Sequence, residues 1–324
     1  MLHGIFKYRI QTAQAITDPI KVEVALFSSP KLQICKKSVH CDVTIYQFKF
    51  RLVCLGMLVF YGSTFLIQIM FLRLAPAWPR LIRAISREEL RRPPREPRGG
   101  TLRTKFKLLS SFFLCLALVE HLLSVCSGVI LVFGCEQEKS MSEGFYTNAY
   151  PQIFSYTTYK HWKAVLLQLL NFAATFYWNF MDLFIILLSK GLSDGFDKLN
   201  ECLDASIGKD LPEQFWRGTR SEYAHMAQLV RKIDEAINEI ILLSFTNNLY
   251  IICLQLFNSL NGITTAIYFV YSFIFLMGRF LFVSLSASRV HTSARRPLMA
   301  LYSVNSESYC IEVQIENVYN TFIE

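Results

Sequence analysis

Six polar side chains set among apolar residues carry the chemistry open to this chain: Glu120, His121, Trp178, Asn179, Asp182 and Gln255. Arg279 is a cation in a similar setting, and Asn171 adds an amide. An ionisable group at mid-bilayer costs on the order of several kcal/mol unless it faces protein or water and finds a partner. Two readings stand side by side. In one, these groups lock helices together through hydrogen bonds, with Glu120, Asp182 and Arg279 forming compensating pairs. In the other, some of them line a water-filled cavity and bind a polar solute. Trp178 beside Asn179 and Asp182 suits the second, because an aromatic ring can stack on the C–H face of a sugar while carboxylate and amide groups bond its hydroxyls.

Other chemistries find no support. HExxH, GxSxG, Walker and GxGxxG patterns are missing, and Asp182 has no second intramembrane aspartate in a comparable context. The nine cysteines form no CxxC pair and show no Cys/His ligand spacing. The chain is therefore read as a non-enzyme with no metal site, no cofactor and no disulfide framework.

The elements that must position these residues are apolar and long. Hydrophobic residues make up 52% of the 324 residues, and the mean hydropathy is +0.31. They collect into five stretches, 52–72, 108–133, 164–189, 240–260 and 266–287. Each has the roughly 20 residues that cross about 30 Å of hydrocarbon. The expected fold is all-α, a polytopic transmembrane helical bundle with five spans and long helices extending into the cytoplasm. An odd number of spans sets the chain ends on opposite sides.

Charge gives the orientation. The net charge is +8, and Arg80, Arg83, Arg87, Arg91, Arg92, Arg95, Arg98, Arg103, Lys105 and Lys107 crowd between the first two spans. The positive-inside rule makes that connection cytoplasmic. No aromatic interleaving marks it as a nucleic-acid patch, so anionic inner-leaflet lipid is the expected partner. By alternation, 134–163 and 261–265 are outside, whereas 190–239 and the tail with Arg289, Arg295 and Arg296 are inside. The basic first 50 residues then fall outside, against the rule.

Three segments are expected: 1–50 without a clear family counterpart, a transmembrane domain 51–288, and a C-terminal tail 289–324. Residues 91–100 (RRPPREPRGG) read as a flexible linker. From Glu213 to Ile240, Met226, Leu229, Val230, Ile233, Ile237 and Ile240 recur at helical spacing. They predict one amphipathic helix running unbroken into the fourth span. Its apolar stripe must pack on other helix extensions or on a neighbouring subunit.

Several blocks, taken in order, resemble the insect gustatory receptors, and within them the sugar-receptor branch. They are LAPAWPRLIRAISREE (Leu74–Glu89), LVEHLLS (Leu118–Ser124), FYWNFMDLFIILLSKGL (Phe176–Leu192), SFTNNLYIICLQLFNSLN (Ser244–Asn261), YSFIFLMGRFLFVSLSAS (Tyr271–Ser288) and RRPLMALYSVNSESYC (Arg295–Cys310). The resemblance implies a tetrameric ligand-gated cation channel of the plasma membrane of gustatory neurons, assembled from like or unlike subunits. It also implies seven helices, a sugar pocket open to the outside within each subunit, and a pore lined by the last helix. The family's Thr-Tyr…Gln-Phe signature in that last helix is not found here. The five spans would then correspond to the family's second to sixth helices. Two alternatives follow: a non-conducting subunit that assembles with full-length receptors, or a polytopic transporter.

Overall fold

The computed structural model describes residues 43–91, 99–133, 140–206, 209, 211–260 and 266–302, and the regular structure among them is helical. In chain order the helices are α1 (Val43–Leu74), α2 (Trp78–Arg91), α3 (Gly99–Phe133), α4 (Met141–Ala149), α5 (Pro151–Phe154), α6 (His161–Asp204), α7 (Glu213–Leu260) and α8 (Ala266–Tyr302). Five of these are long and apolar enough to cross a membrane: α1, α3, α6, α7 and α8. They fall where the five apolar stretches place them. Leu58, Leu108, Ile267 and Ile274 stand well exposed on α1, α3 and α8, as expected of helices with a face turned to lipid rather than to a core.

α6 is the centre of the bundle. It packs most extensively on α8, and also on α7, α3 and α1. α1 and α7 run antiparallel, with Gly56 near Leu254 at one end and Arg73 3.5 Å from Glu239 at the other. A Cβ on Gly56 would lie 3.2 Å from Leu254 Cδ2, so a glycine permits this close approach. The end carrying Arg73 is called the basic end below.

α7 is one continuous helix from Glu213 to Leu260, as its apolar periodicity predicts. The stripe of Met226, Leu229, Ile233, Ile237 and Ile240 is buried in the same cluster as Phe196 and Leu199 of α6 and Leu81 of α2. The extension thus packs on helices of its own chain. α6 runs on to Asp204, past the predicted limit at Ser189. Leu192, Phe196, Leu199 and Leu203 keep a buried stripe there, so the helix extends beyond its apolar span as expected of this bundle. The connection between α3 and α6 holds α4 and α5, two short helices that the apolar pattern does not mark.

α8 also exceeds its predicted limit, continuing through Pro297 to Tyr302. A proline inside a helix lacks the N–H that would bond the carbonyl four residues earlier, here that of Ser293. A neighbouring side chain supplies the missing donor: Asn200 Nδ2 of α6 lies 2.8 Å from the Ser293 carbonyl. Asn200 Oδ1 in turn accepts from the Tyr223 hydroxyl of α7. All of these residues are buried. The proline is tolerated because two other helices complete its hydrogen bonding.

The expectations for residues 1–42, for the linker 92–98, for Cys135, for the outer turn 261–265 and for the tail beyond 302 lie outside the described residues.

Candidate ligand cavity and the ion pair beneath it

A cavity of about 300 Å³ lies among α1, α3, α6, α7 and α8, in the half of the bundle away from the basic end. It is lined by Phe60 from α1, by Glu120 and His121 from α3, by Asn171 and Trp178 from α6, by Gln255 from α7 and by Tyr268 from α8, among others. Glu120, His121, Trp178 and Gln255 are thus brought together from three helices that the sequence could only treat separately. Such a volume is at the small end for ligand pockets, and corresponds to about ten water molecules.

The polar groups are held in place by one another. Ser272 of α8 donates to Glu120 Oε1 at 2.7 Å, and Gln255 Nε2 donates to Ser272 Oγ at 2.7 Å. Gln255 Oε1 is buried and has no hydrogen-bond partner among the described residues. His121 Nε2 lies 3.4 Å from Gln168 Nε2 of α6, and its ring meets the edge of Phe172. Glu120 is therefore tied to Ser272 rather than directly to the arginine the sequence suggested as a partner.

Asn179 and Asp182 do not line this cavity. Asp182 lies one helical turn beyond Trp178 and Asn179 lies beside Trp178 on the adjoining helix face, both in a cluster around Arg279. Arg279 Nε stands 2.9 Å from Asp182 Oδ2, a charge contact made off the N–H axis. One terminal nitrogen donates to Asn179 Oδ1, and the other donates to Asn248 Oδ1 at 3.1 Å. Asp182 is completed by Ser244 Oγ at 2.5 Å and by Asn248 Nδ2 at 3.0 Å. The compensating pair expected from the sequence is Asp182 with Arg279, and both side chains are almost wholly withdrawn from the surface.

Trp178 is the wall between the two. The Arg279 guanidinium carbon lies 4.1 Å from the centroid of its ring, a cation–π contact with little competing solvent. The indole Nε1 donates to Asn248 Oδ1 at 3.2 Å, and Phe60 meets the ring at 81° from 6.0 Å. A single indole therefore touches the cavity, the buried cation on α8 and the amide on α7.

Sequence reasoning missed Ser244, Asn248, Ser272 and Tyr268. Ser244 and Asn248 had a readable signal: they are four residues apart in an apolar span, hence on one helix face with Ile251 and Gln255. On the connection between α3 and α6, burial and the neighbouring Tyr61 raise the Tyr150 phenol above its ordinary range. Tyr146 shifts the same way, through burial and the nearby Tyr159, so both phenols stay neutral at physiological pH.

Comparison with known proteins agrees with this architecture. A family model described as trehalose receptor matches residues 26–320. Gustatory receptor 5a for trehalose, from Drosophila melanogaster, is 36% identical over 262 residues, covering 79% of this chain and 59% of that protein. The Drosophila gustatory receptor for sugar taste 64f is 36% identical over 266 residues, covering 79% and 56%. The corresponding receptor 64a is 35% identical over 269 residues, covering 79% and 59%. The chain thus spans less than two thirds of the length of these relatives. Its five membrane-length helices make it a multi-pass membrane protein, and its relatives are receptors rather than enzymes. With the family model covering most of its length, the chain belongs to the trehalose receptor family of insect gustatory receptors.

Proposed function

We propose that this chain is a sugar-sensing subunit of a taste receptor and that the cavity among α1, α3, α6, α7 and α8 takes a small neutral sugar. The observation that carries this reading is the composition of the lining. It joins the aromatic rings of Trp178 and Phe60 to the polar groups of Glu120, His121, Asn171, Gln255 and Tyr268. A sugar offers both an apolar C–H face and hydroxyl groups, which match such a lining of rings and polar side chains. Relatives named for trehalose and for sugar taste support the ligand class.

The same reading makes the chain part of a tetrameric, ligand-gated cation channel of the plasma membrane, alone or with other gustatory receptor subunits. Asn179 and Asp182 act in it through Trp178 and Arg279 rather than by touching the sugar. A sugar stacked on Trp178 would bear on the cation of α8, and so on the helix that leads out of the bundle.

The test is a titration of the purified full chain with trehalose, sucrose and glucose, following sugar-dependent thermal stabilisation. Glu120→Gln and Gln255→Leu, both outside the Asp182–Arg279 cluster, are expected to weaken the response about tenfold or more. Unchanged dose-response in both variants sinks the pocket. Expression in cells with a full-length sugar receptor then asks for sugar-evoked cation current. Sugar binding without any contribution to current would assign the chain the non-conducting, assembling role.

A further inference from the structure

The arginines after the first span are gathered by α2 into one stripe. Arg80, Arg83 and Arg87 are separated by three and four residues, so they share a helix face, and all three are exposed. The register position of Arg91, the last residue of the 14-residue helix, continues the row. The stripe cannot roll inward, because the adjoining face of α2 is already packed. Leu81 is buried, with Ala84 and Ile85 packed beside it on the core. The Trp78 ring lies 5.3 Å from that of Phe184 on α6, and α2 also rests on α7.

Position and charge balance narrow what the stripe meets. α2 begins only a three-residue turn after α1 ends at Leu74, so it lies where the first span leaves the bilayer. Arg103, Lys105 and Lys107 are exposed at the start of α3, where the chain re-enters. Arg73 finds Glu239, and Arg83 Nε turns back to the Pro79 carbonyl at 3.1 Å. Arg80 and Arg87 make no ion pair among the described residues. Guanidinium forks unspent on carboxylates, held beside a membrane surface, suit phosphate oxygens. The row from Arg80 to Arg87 spans about 10 Å of helix, which fits one multiply phosphorylated headgroup better than a length of nucleic-acid strand.

We propose that α2 is a binding site for an anionic membrane lipid, with Arg80, Arg83 and Arg87 holding the phosphates of a phosphoinositide headgroup in the leaflet at the basic end. The proposal is independent of whether the cavity binds sugar.

The experiment uses the purified full chain in neutral detergent, titrated with a short-chain phosphatidylinositol bisphosphate. Short-chain phosphatidylcholine, free inositol trisphosphate and a single-stranded RNA oligonucleotide serve as comparisons. The phosphoinositide is expected to bind saturably, more tightly than the free headgroup, with affinity falling as salt is raised. The triple variant Arg80→Gln, Arg83→Gln, Arg87→Gln is expected to lose roughly 100-fold in affinity, whereas Lys160→Gln at the far end of α6 leaves it unchanged. Because the substituted side chains are exposed, the variant's unfolding temperature gives an independent check that it is folded. If that check fails, the salt series on the unaltered chain decides, and salt-independent binding overturns the proposal. Undiminished binding by a folded triple variant overturns it as well, as does equal affinity for phosphatidylcholine or tighter binding of the RNA.

Discussion

Two polar clusters tie together the same three helices, α6, α7 and α8, and they do so on different physical terms. The cluster at mid-span holds an ion pair, Asp182 with Arg279, whose side chains are 0% and 1% exposed. The carboxylate is bonded by Ser244 and Asn248, and the guanidinium by Asn179, Asn248 and the Trp178 ring, while its Nε meets the carboxylate as a charge contact alone. The cluster at the basic end keeps its charges toward water. Arg289 and Arg296 reach Asp197 and Asp204 at 3.0 Å and 2.7 Å with side chains 56% exposed. What is buried there is neutral, the Tyr223–Asn200–Ser293 chain that mends the break at Pro297. Charge is thus buried where it adjoins the ligand cavity, and exposed where the helices need only be held side by side.

The strongest way to break this comparison is to remove one half of the buried pair. Arg279→Met leaves the buried Asp182 carboxylate without its counter-charge, bonded only to Ser244 and Asn248, a change that costs about 3–5 kcal/mol in buried pairs. The expected result is a large fall in folded, monodisperse protein and in its unfolding temperature. Adding Asp182→Asn should recover much of the loss, since the orphaned charge is then gone. An Arg279→Met protein as stable as the parent would show that the mid-span cluster does not depend on its closed network.

Next in size is Asn200. Its removal leaves the Ser293 carbonyl without a donor, which costs about 1–3 kcal/mol for a buried group. The distinguishing experiment is a double-mutant cycle with Pro297→Ala. Alanine restores the backbone N–H, so Asn200→Ala should cost less in that background, the remaining loss being its bond to the Tyr223 hydroxyl. Measured unfolding temperatures of the four proteins give the coupling. Additive effects would mean that Asn200 contributes through packing and its Tyr223 bond alone, and that α8 tolerates its proline by other means.

The contrast between the clusters also explains what the sequence could reveal. Glu120, Asp182 and Arg279 stand out because charges in an apolar span demand partners, so the need for a pair is legible in the residue types, while the choice of Asp182 over Glu120 is made by the fold. The unbroken α7 is legible because Met226, Leu229, Ile233, Ile237 and Ile240 repeat at helical spacing. Asn200 carries no such signal. Its partner is a backbone carbonyl 93 residues away, and a proline taken alone predicts that α8 stops. Helix extensions are expected from the sequence, but the end of the α6 extension is not, since it is fixed by contacts such as those of Ser293 and Arg289 of α8 with Asp197. The cavity is legible only as a set of polar residues in three spans. Asn179 and Asp182 join that set because neighbours in sequence suggest neighbours in function, whereas helix face separates Asn179, and depth along the helix Asp182, from the cavity that Trp178 lines.

The smallest effects are expected at the exposed pairs, and they sharpen the comparison by being small. Arg289→Gln and Arg296→Gln each remove a pair that water already screens, so each should cost about 0.2–1 kcal/mol. That loss should shrink further as salt is raised, whereas the Arg279→Met loss should barely respond. Arg289 offers a finer check, because Asp197 keeps Ser293 Oγ at 2.7 Å after the arginine is gone. Its carboxylate would then remain bonded and partly solvated, and no orphaned charge would be created. Unfolding temperatures measured at low and high salt give both numbers. A salt-independent loss at Arg289 comparable to that at Arg279 would mean that the basic end also relies on desolvated charge, and that the two clusters are variations on one device.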